Sequence, residues 1–190
     1  YASSLGMAEC KDCEIGRAQS SSGKNDCDDC QPGEYQEQKG QTSCKDCVAG
    51  KWSDSTAATH VNYCESCQVG YFSTTVAAVS SSTCTPCVSG KFSDVVAAGT
   101  DTCTFCPVGK YQPNTGNDQC IECAPRKVTG VPTGALSCNI ECLNGYEAKG
   151  QAFCTKCPTG SKLDYNNDDT ECTACDDEIP YSDGTTCYRC

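Results

Sequence analysis

The sequence predicts a fold class of small disulfide-rich repeats: an elongated ladder of short irregular β-hairpins, with little helix and no large hydrophobic core. Three observations carry that expectation. In 190 residues there are only 23 Val, Ile, Leu and Phe, the formal net charge is -11, and cysteine occurs 22 times. So few apolar side chains cannot offset roughly 1 to 2 kcal/mol of backbone entropy per ordered residue, and with this charge the composition would otherwise indicate disorder. Cysteine at this density overrides that tendency, because covalent loops replace the missing core.

So many paired cysteines imply an oxidising compartment, so the expected location is extracellular or the cell surface. The 25 acidic residues outnumber the 14 basic ones, which argues against nucleic acid or an anionic membrane as partner, since both reward a basic face. No apolar run approaches the ~20 residues of a membrane span; "VVAA" at 95–98 is typical of the longest, so this segment is not expected to insert in a membrane. The N-terminal "YASSLGMAEC" has neither an initiator Met nor a charged-then-apolar leader pattern, and it is expected to belong to a processed or excised piece of something longer.

The cysteines fall into eleven close pairs, 10/13, 27/30, 44/47, 64/67, 84/87, 103/106, 120/123, 138/142, 154/157, 172/175 and 187/190, all C-x-x-C except the wider Cys138/Cys142. Their near-constant spacing marks an array of small units. Three residues after the second cysteine of a pair stands glycine, at Gly16, Gly33, Gly50, Gly70, Gly90, Gly109, Gly145 and Gly160, which predicts a turn with positive φ or a close crossing of two chain segments. Two residues further on stands an aromatic ring in five units, Tyr35, Trp52, Phe72, Phe92 and Tyr111. One ring per unit can pack over the neighbouring disulfide as a miniature core, or the rings can form a face on which carbohydrate stacks.

Each ring is followed by a polar stretch such as "SDSTAATHVNY" or "QPNTGNDQ", whose residues favour turns over helix, so each unit predicts a short hairpin closed by sulfur. No window shows a sustained helical apolar stripe. The pattern divides the array into regular repeats over 1–123 and degenerate repeats over 124–190, where Arg126 replaces the glycine, Val128 the ring, and Lys162 a later ring.

"CQPGEYQEQKGQTSCKDC", "CVSGKFSDVVAAGTDTCTFC" and "CPVGKYQPNTGNDQCIEC" resemble the ephrin-receptor-like cysteine-rich repeat, a relative of the tumour-necrosis-factor-receptor module, well over residues 10–123 and loosely beyond. The resemblance implies a ladder in which the second cysteine of one pair joins the first of the next: Cys13 to Cys27, Cys30 to Cys44, Cys47 to Cys64, Cys67 to Cys84, Cys87 to Cys103, Cys106 to Cys120, Cys123 to Cys138, Cys142 to Cys154, Cys157 to Cys172 and Cys175 to Cys187. Spacing alone leaves an interleaved scheme open. Either scheme leaves two cysteines over, Cys10 and Cys190 in the ladder, as expected for part of a longer array.

The same spacing approaches that of four-cysteine zinc sites. An odd number of pairs, the lone His60 and the acidic charge weigh against metal, and no cofactor is expected. The C-x-x-C dithiol spacing also suits redox catalysis, but eleven copies are a scaffold rather than a reactive site; with no nucleophile elbow or phosphate-binding loop, no enzymatic role is expected. "LDYNNDDTEC" at 163–172 begins like a calcium loop but has Asp169 and Cys175 where glycine and a bidentate glutamate are needed, so it predicts a solvated turn. N-x-S/T sequons are absent, and Asn25 and Asn62 stand in N-x-C contexts; glycans on the Ser/Thr loops remain open.

Repetition points to an extracellular structural protein, a disulfide-stapled rod in a filament, appendage or coat, whose partners are other copies of itself or other matrix and filament proteins. The alternative is a receptor-like ectodomain or stalk for ligand binding or adhesion. Alanine pairs recur at one offset, Ala57 and Ala58, Ala77 and Ala78, Ala97 and Ala98, beside Val76, Val79, Val95 and Val96. Such small side chains allow close approach of another surface, so they form a candidate assembly stripe; the alternative is that they tuck against their own hairpin.

Overall fold

A two-residue strand after each glycine turn and the two residues inside the next cysteine pair form one antiparallel hairpin. Lys51–Trp52 pairs with Glu65–Ser66 in the register Lys51↔Ser66 and Trp52↔Glu65; Tyr71–Phe72 pairs likewise with Thr85–Pro86, and Lys110–Tyr111 with Ile121–Glu122. The computed structural model describes residues 11–24, 26–143, 146–148, 152–163, 172–175, 181–182 and 187–188. Among them are ten such two-stranded sheets and no α-helix. Two residues per strand form too short a ladder to be stable alone, so sulfur must hold each hairpin shut.

It does so because the register carries the first cysteine of one pair back beside the second cysteine of the preceding pair. Nine disulfides follow in unbroken neighbour-to-neighbour order from Cys13–Cys27 to Cys157–Cys172, with Cα separations of 5.4–5.8 Å. The interleaved scheme is thereby ruled out, and the sulfurs a zinc site would need are already bonded to one another. Cys175 is also disulfide-bonded; the side chain of Cys187, its expected partner, and both Cys10 and Cys190 lie outside the described residues. So do the acidic turn at 164–171 and Asn25.

The glycine three residues after the cysteine adopts φ between 76° and 87° at Gly16, Gly33, Gly50, Gly70, Gly90, Gly109 and Gly160, a region closed to most side chains. Its carbonyl accepts the N–H of the second cysteine of the next pair, as in Cys47 to Gly33 at 2.7 Å. Where glycine is missing the turn survives: Arg126 takes φ 65°, accepts the Cys142 N–H at 2.7 Å, and its Nη2 donates to the Cys142 carbonyl at 2.9 Å. Val128 fills the ring position by burying completely against Cys142 and Ala148, with Tyr146 and Cys154 packed on them. The degenerate part of the array thus keeps the same hairpin with an aliphatic filling.

The residues group into two units, Tyr1–Pro86 with Asp94–Thr102, and Cys87–Ser93 with Cys103–Cys190. In both, the buried side chains are chiefly cysteine, alanine, serine and glutamine. Among the described residues neither unit has a large apolar core.

Candidate functional site

The most elaborate local structure is a junction at which three successive repeats meet, and the positive-φ glycine is its first member. The Gly33 N–H donates to the Ser53 carbonyl of the next repeat at 2.8 Å, and the Ser53 N–H donates to the Ala78 carbonyl of the repeat after that at 2.9 Å. The carbonyl oxygen of Ala77 lies where a Cβ on Gly33 would sit. Gly16, Gln36 and Ala57–Ala58 repeat the arrangement, as do Gly50, Ser73 and Ala97–Ala98; in the second unit Gly90, Gln112 and Gly134–Ala135 do so again. Absence of a side chain at the glycine is therefore required twice, by its dihedral and by the carbonyl pressed against it.

The third member has its own requirement. Ala57, Ala77 and Ala97 adopt φ of 51°, 52° and 55°, and Gly40, Gly116 and Gly134 hold the equivalent place at 70°, 70° and 68°. In this left-handed conformation the N–H turns back to the preceding repeat, Ala77 to the Cys47 carbonyl at 2.9 Å and Ala97 to that of Cys67 at 2.9 Å. The following alanines, Ala58, Ala78 and Ala98, are only 1%, 2% and 3% exposed. Within the chain, the alanine pairs thus lie against the preceding repeats rather than their own hairpin, with Ala58, Ala78 and Ala98 buried there and Ala57, Ala77 and Ala97 half-buried. What these loops leave in solvent is Val76, Val79, Val95 and Val96, each 43–59% exposed.

The second member was not singled out from the sequence, although a signal exists. Six residues after the cysteine stands Gln or Ser without exception in the first six repeats: Gln19, Gln36, Ser53, Ser73, Ser93 and Gln112. Gln36 is buried; its Oε1 accepts the Gln38 N–H at 3.1 Å and its Nε2 reaches across the loop to the Ser43 carbonyl at 2.8 Å. Gln112 does the same with Asn114 and Gln119, and Gln19 with Ser21 and Asp26. All three lie in loops whose cysteines are 14 residues apart. Serine occupies the 17-residue loops of Cys47–Cys64 and Cys67–Cys84, where the three extra residues form 3₁₀ turns, Val61–Tyr63 and Ser81–Thr83. A serine hydroxyl is too short to span the loop, so it closes only the local turn, Ser53 Oγ accepting the Ser55 N–H at 3.3 Å.

The five rings Tyr35, Trp52, Phe72, Phe92 and Tyr111 are half-buried. Beside them the second member of the junction is sealed: Gln36, Ser53, Ser73, Ser93 and Gln112 are at most 3% exposed. The backbone of Trp52 bridges to Ala78, that of Phe72 to Ala98 and that of Tyr111 to Ala135, so the ring-bearing strands serve the junction through their main chain as well. Charge plays a minor part. Lys45 donates to Glu37 at 2.7 Å and Lys110 pairs with Glu122 at 2.9 Å; these hydrogen bonds hold both carboxyls below their ordinary range. The pairs lie at the surface and add little to stability. Among the described residues no three His, Cys, Asp or Glu side chains gather as metal ligands, and no helix is long and apolar enough to cross a membrane.

Residues 16–64 and 94–142, together just over half of the chain, match the sequence model of the tyrosine-protein kinase ephrin type A/B receptor-like family. The chain belongs to this family. The first ephrin-receptor-like match opens on Gly16 and contains the junction of Gly16, Gln36 and Ala58, whereas the second begins after Gly90 and contains only Gln112 and Gly134–Ala135 of its junction. Relatives similar to this chain include the sushi, von Willebrand factor type A, EGF and pentraxin domain-containing protein 1 of Rattus norvegicus and that of Mus musculus. Each is 37% identical over 65 residues, which is 32% of this chain and 2% of the relative's length. The chain is an array of extracellular-type, disulfide-bonded cysteine-rich repeats.

Proposed function

We propose that this array is a structural segment of an extracellular or cell-surface protein, a covalently stapled run of repeats that lies against further copies of itself in a coat, filament or appendage. The observation that supports it most is the three-repeat junction, which at Gly16, Gly33 and Gly50 in the first unit and Gly90 in the second ties a repeat to the next two through backbone groups. Such an array resists local opening, as a load-bearing or protease-exposed segment requires. The contact face of this reading lies on the valines of the first unit rather than on the alanines. Residues 66–90 contain no charged residue in a chain of net charge -11, so repulsion between two copies is weakest where Val76 and Val79 stand exposed.

Replacing Val76 and Val96 with Glu is expected to abolish self-association in sedimentation velocity while leaving disulfides and melting temperature unchanged. Unimpaired association would remove the proposed face. An alternative reading, a receptor-like ectodomain or stalk for ligand binding or adhesion, is favoured by the family's description as ephrin type A/B receptor-like. A wild-type chain that stays monomeric at every concentration while capturing a soluble ligand would favour it.

A further inference from the structure

One repeat departs from the others in a way that the stacking does not use. Between the hairpins of Lys51–Ser66 and Tyr71–Pro86 in the first unit lies a groove of about 290 Å³, lined by Trp52, Glu65, Ser66, Gln68, Tyr71 and Ser81 over the Cys67–Cys84 disulfide. Trp52 and Glu65 are direct cross-strand partners, which sets an indole beside a carboxylate on one wall; Tyr71 follows the turn that begins at Gln68, whose carbonyl accepts its N–H at 3.1 Å. The position of Tyr71 holds a charged residue in most other repeats, Arg17, Glu34, Lys51, Lys91, Lys110 and Lys127, and tyrosine again at Tyr146, where the cross-strand partner is Lys156; that of Glu65–Ser66 holds Lys45–Asp46, Thr85–Pro86 or Thr104–Phe105 in neighbouring repeats. The groove combines two ring residues, Trp52 and Tyr71, with a lining that contains no Lys or Arg.

The lining disfavours apolar and anionic ligands. Among the described residues, none of the side-chain polar groups of Trp52, Glu65, Ser66, Gln68 and Ser81 has a partner within the chain, so the groove presents an indole N–H, a carboxylate, an amide and two hydroxyls to whatever enters. An apolar ligand would desolvate these groups without replacing their hydrogen bonds. An anion meets Glu65 and no Lys or Arg. A neutral sugar supplies both donors and acceptors around its ring and a C–H face that stacks on an indole. The equivalent ring Tyr35 has Lys45 over it, 5.9 Å from its centre; no such cation covers Trp52. The volume lies at the lower end of small-molecule sites, suited to one or two sugar rings.

We propose that this groove binds a neutral saccharide, stacked on Trp52 and hydrogen-bonded by Glu65, Ser66, Gln68 and Ser81. Trp52 is the sole tryptophan of the chain, so its emission reports on the groove without a label. Titrating the oxidised full chain with cellobiose, lactose and N,N′-diacetylchitobiose is expected to give a saturable change in emission for at least one of them, with an affinity in the millimolar range typical of one small exposed groove, on the order of 1 mM. A heparin-derived disaccharide of comparable size is expected to bind at least about tenfold more weakly because Glu65 repels it. Tyr71→Lys, which installs the residue that other repeats carry here and so preserves the fold, is expected to weaken saccharide binding by about tenfold. The proposal fails if all three neutral sugars leave both the emission and the amide shifts of Ser66 and Gln68 unchanged, or if Tyr71→Lys binds as well as the original chain.

Discussion

Gly50→Ala is expected to lower the stability of the oxidised chain by about 3 kcal/mol or more, summing the strain of a left-handed non-glycine residue and the overpacking of a sealed contact. Gly50 has φ 83°, and a Cβ there would run into the Ala97 carbonyl oxygen and stand 2.9 Å from the Ala98 carbonyl carbon. The obstructing atoms are backbone, held by hydrogen bonds from Ala97 to Cys67 and from Ser73 to Ala98 at 2.9 Å each, so they cannot swing aside. Gly23→Ala is the matched control, because Gly23 has φ 76° but nothing within 4 Å of its would-be Cβ. It retains the dihedral strain alone, about 1 kcal/mol. Chemical denaturation of both variants measures the difference, which is the contribution of the junction contact; equal losses would mean that the contact is loose.

Removing the Cys67–Cys84 bridge by changing both cysteines to serine is expected to be as damaging and to spread further. Its loop of 17 residues corresponds to roughly 3 kcal/mol in the chain-entropy description. The effect does not stay inside that loop. The Cys67 N–H closes the Lys51–Ser66 hairpin at the Gly50 carbonyl, and the Cys67 carbonyl accepts the Ala97 N–H of the following repeat, both at 2.9 Å, so slack at this cysteine is passed to the hairpin before it and to the repeat after. Limited proteolysis should open new sites across residues 47–103 rather than only between 67 and 84. Cleavage confined to 67–84 would mean that each repeat is an independent bead.

The glycine turns and hairpins were legible from the sequence because each rests on a residue with a strong local reason: glycine for a left-handed turn, and cysteines whose spacing suits short loops. The disulfide order came from the family resemblance, not from spacing. The role of Ala57, Ala77 and Ala97 was only half legible. Their smallness was visible, but the surface they approach is made of backbone carbonyls, and a carbonyl leaves no mark in the sequence. The same cause hid the junction as a whole: its second member contacts the neighbours through main-chain N–H and C=O, and only its loop-closing side chain, Gln in short loops and Ser in long ones, leaves a readable trace. The rings were legible as the one large side chain per unit but not as half-exposed, because burial depends on what covers them, and the neighbours supply main chain, alanine and serine instead of further apolar side chains. Contact with the next-but-one repeat also changes what a substitution does, since damage at one glycine reaches three repeats.

Amide hydrogen exchange of the oxidised chain tests the three-repeat junction most directly. The N–H groups of Gly33, Ser53 and Ser73 donate to the next repeat, and those of Cys47 and Cys67 donate within their own hairpin. If the junction binds these repeats of the first unit into one cooperative stack, the two sets are protected to the same degree and lose protection together when Gly50 becomes Ala. Rapid exchange at Gly33, Ser53 and Ser73 beside slow exchange at Cys47 and Cys67 would show separate hairpins joined only by sulfur, and would contradict a cooperative junction.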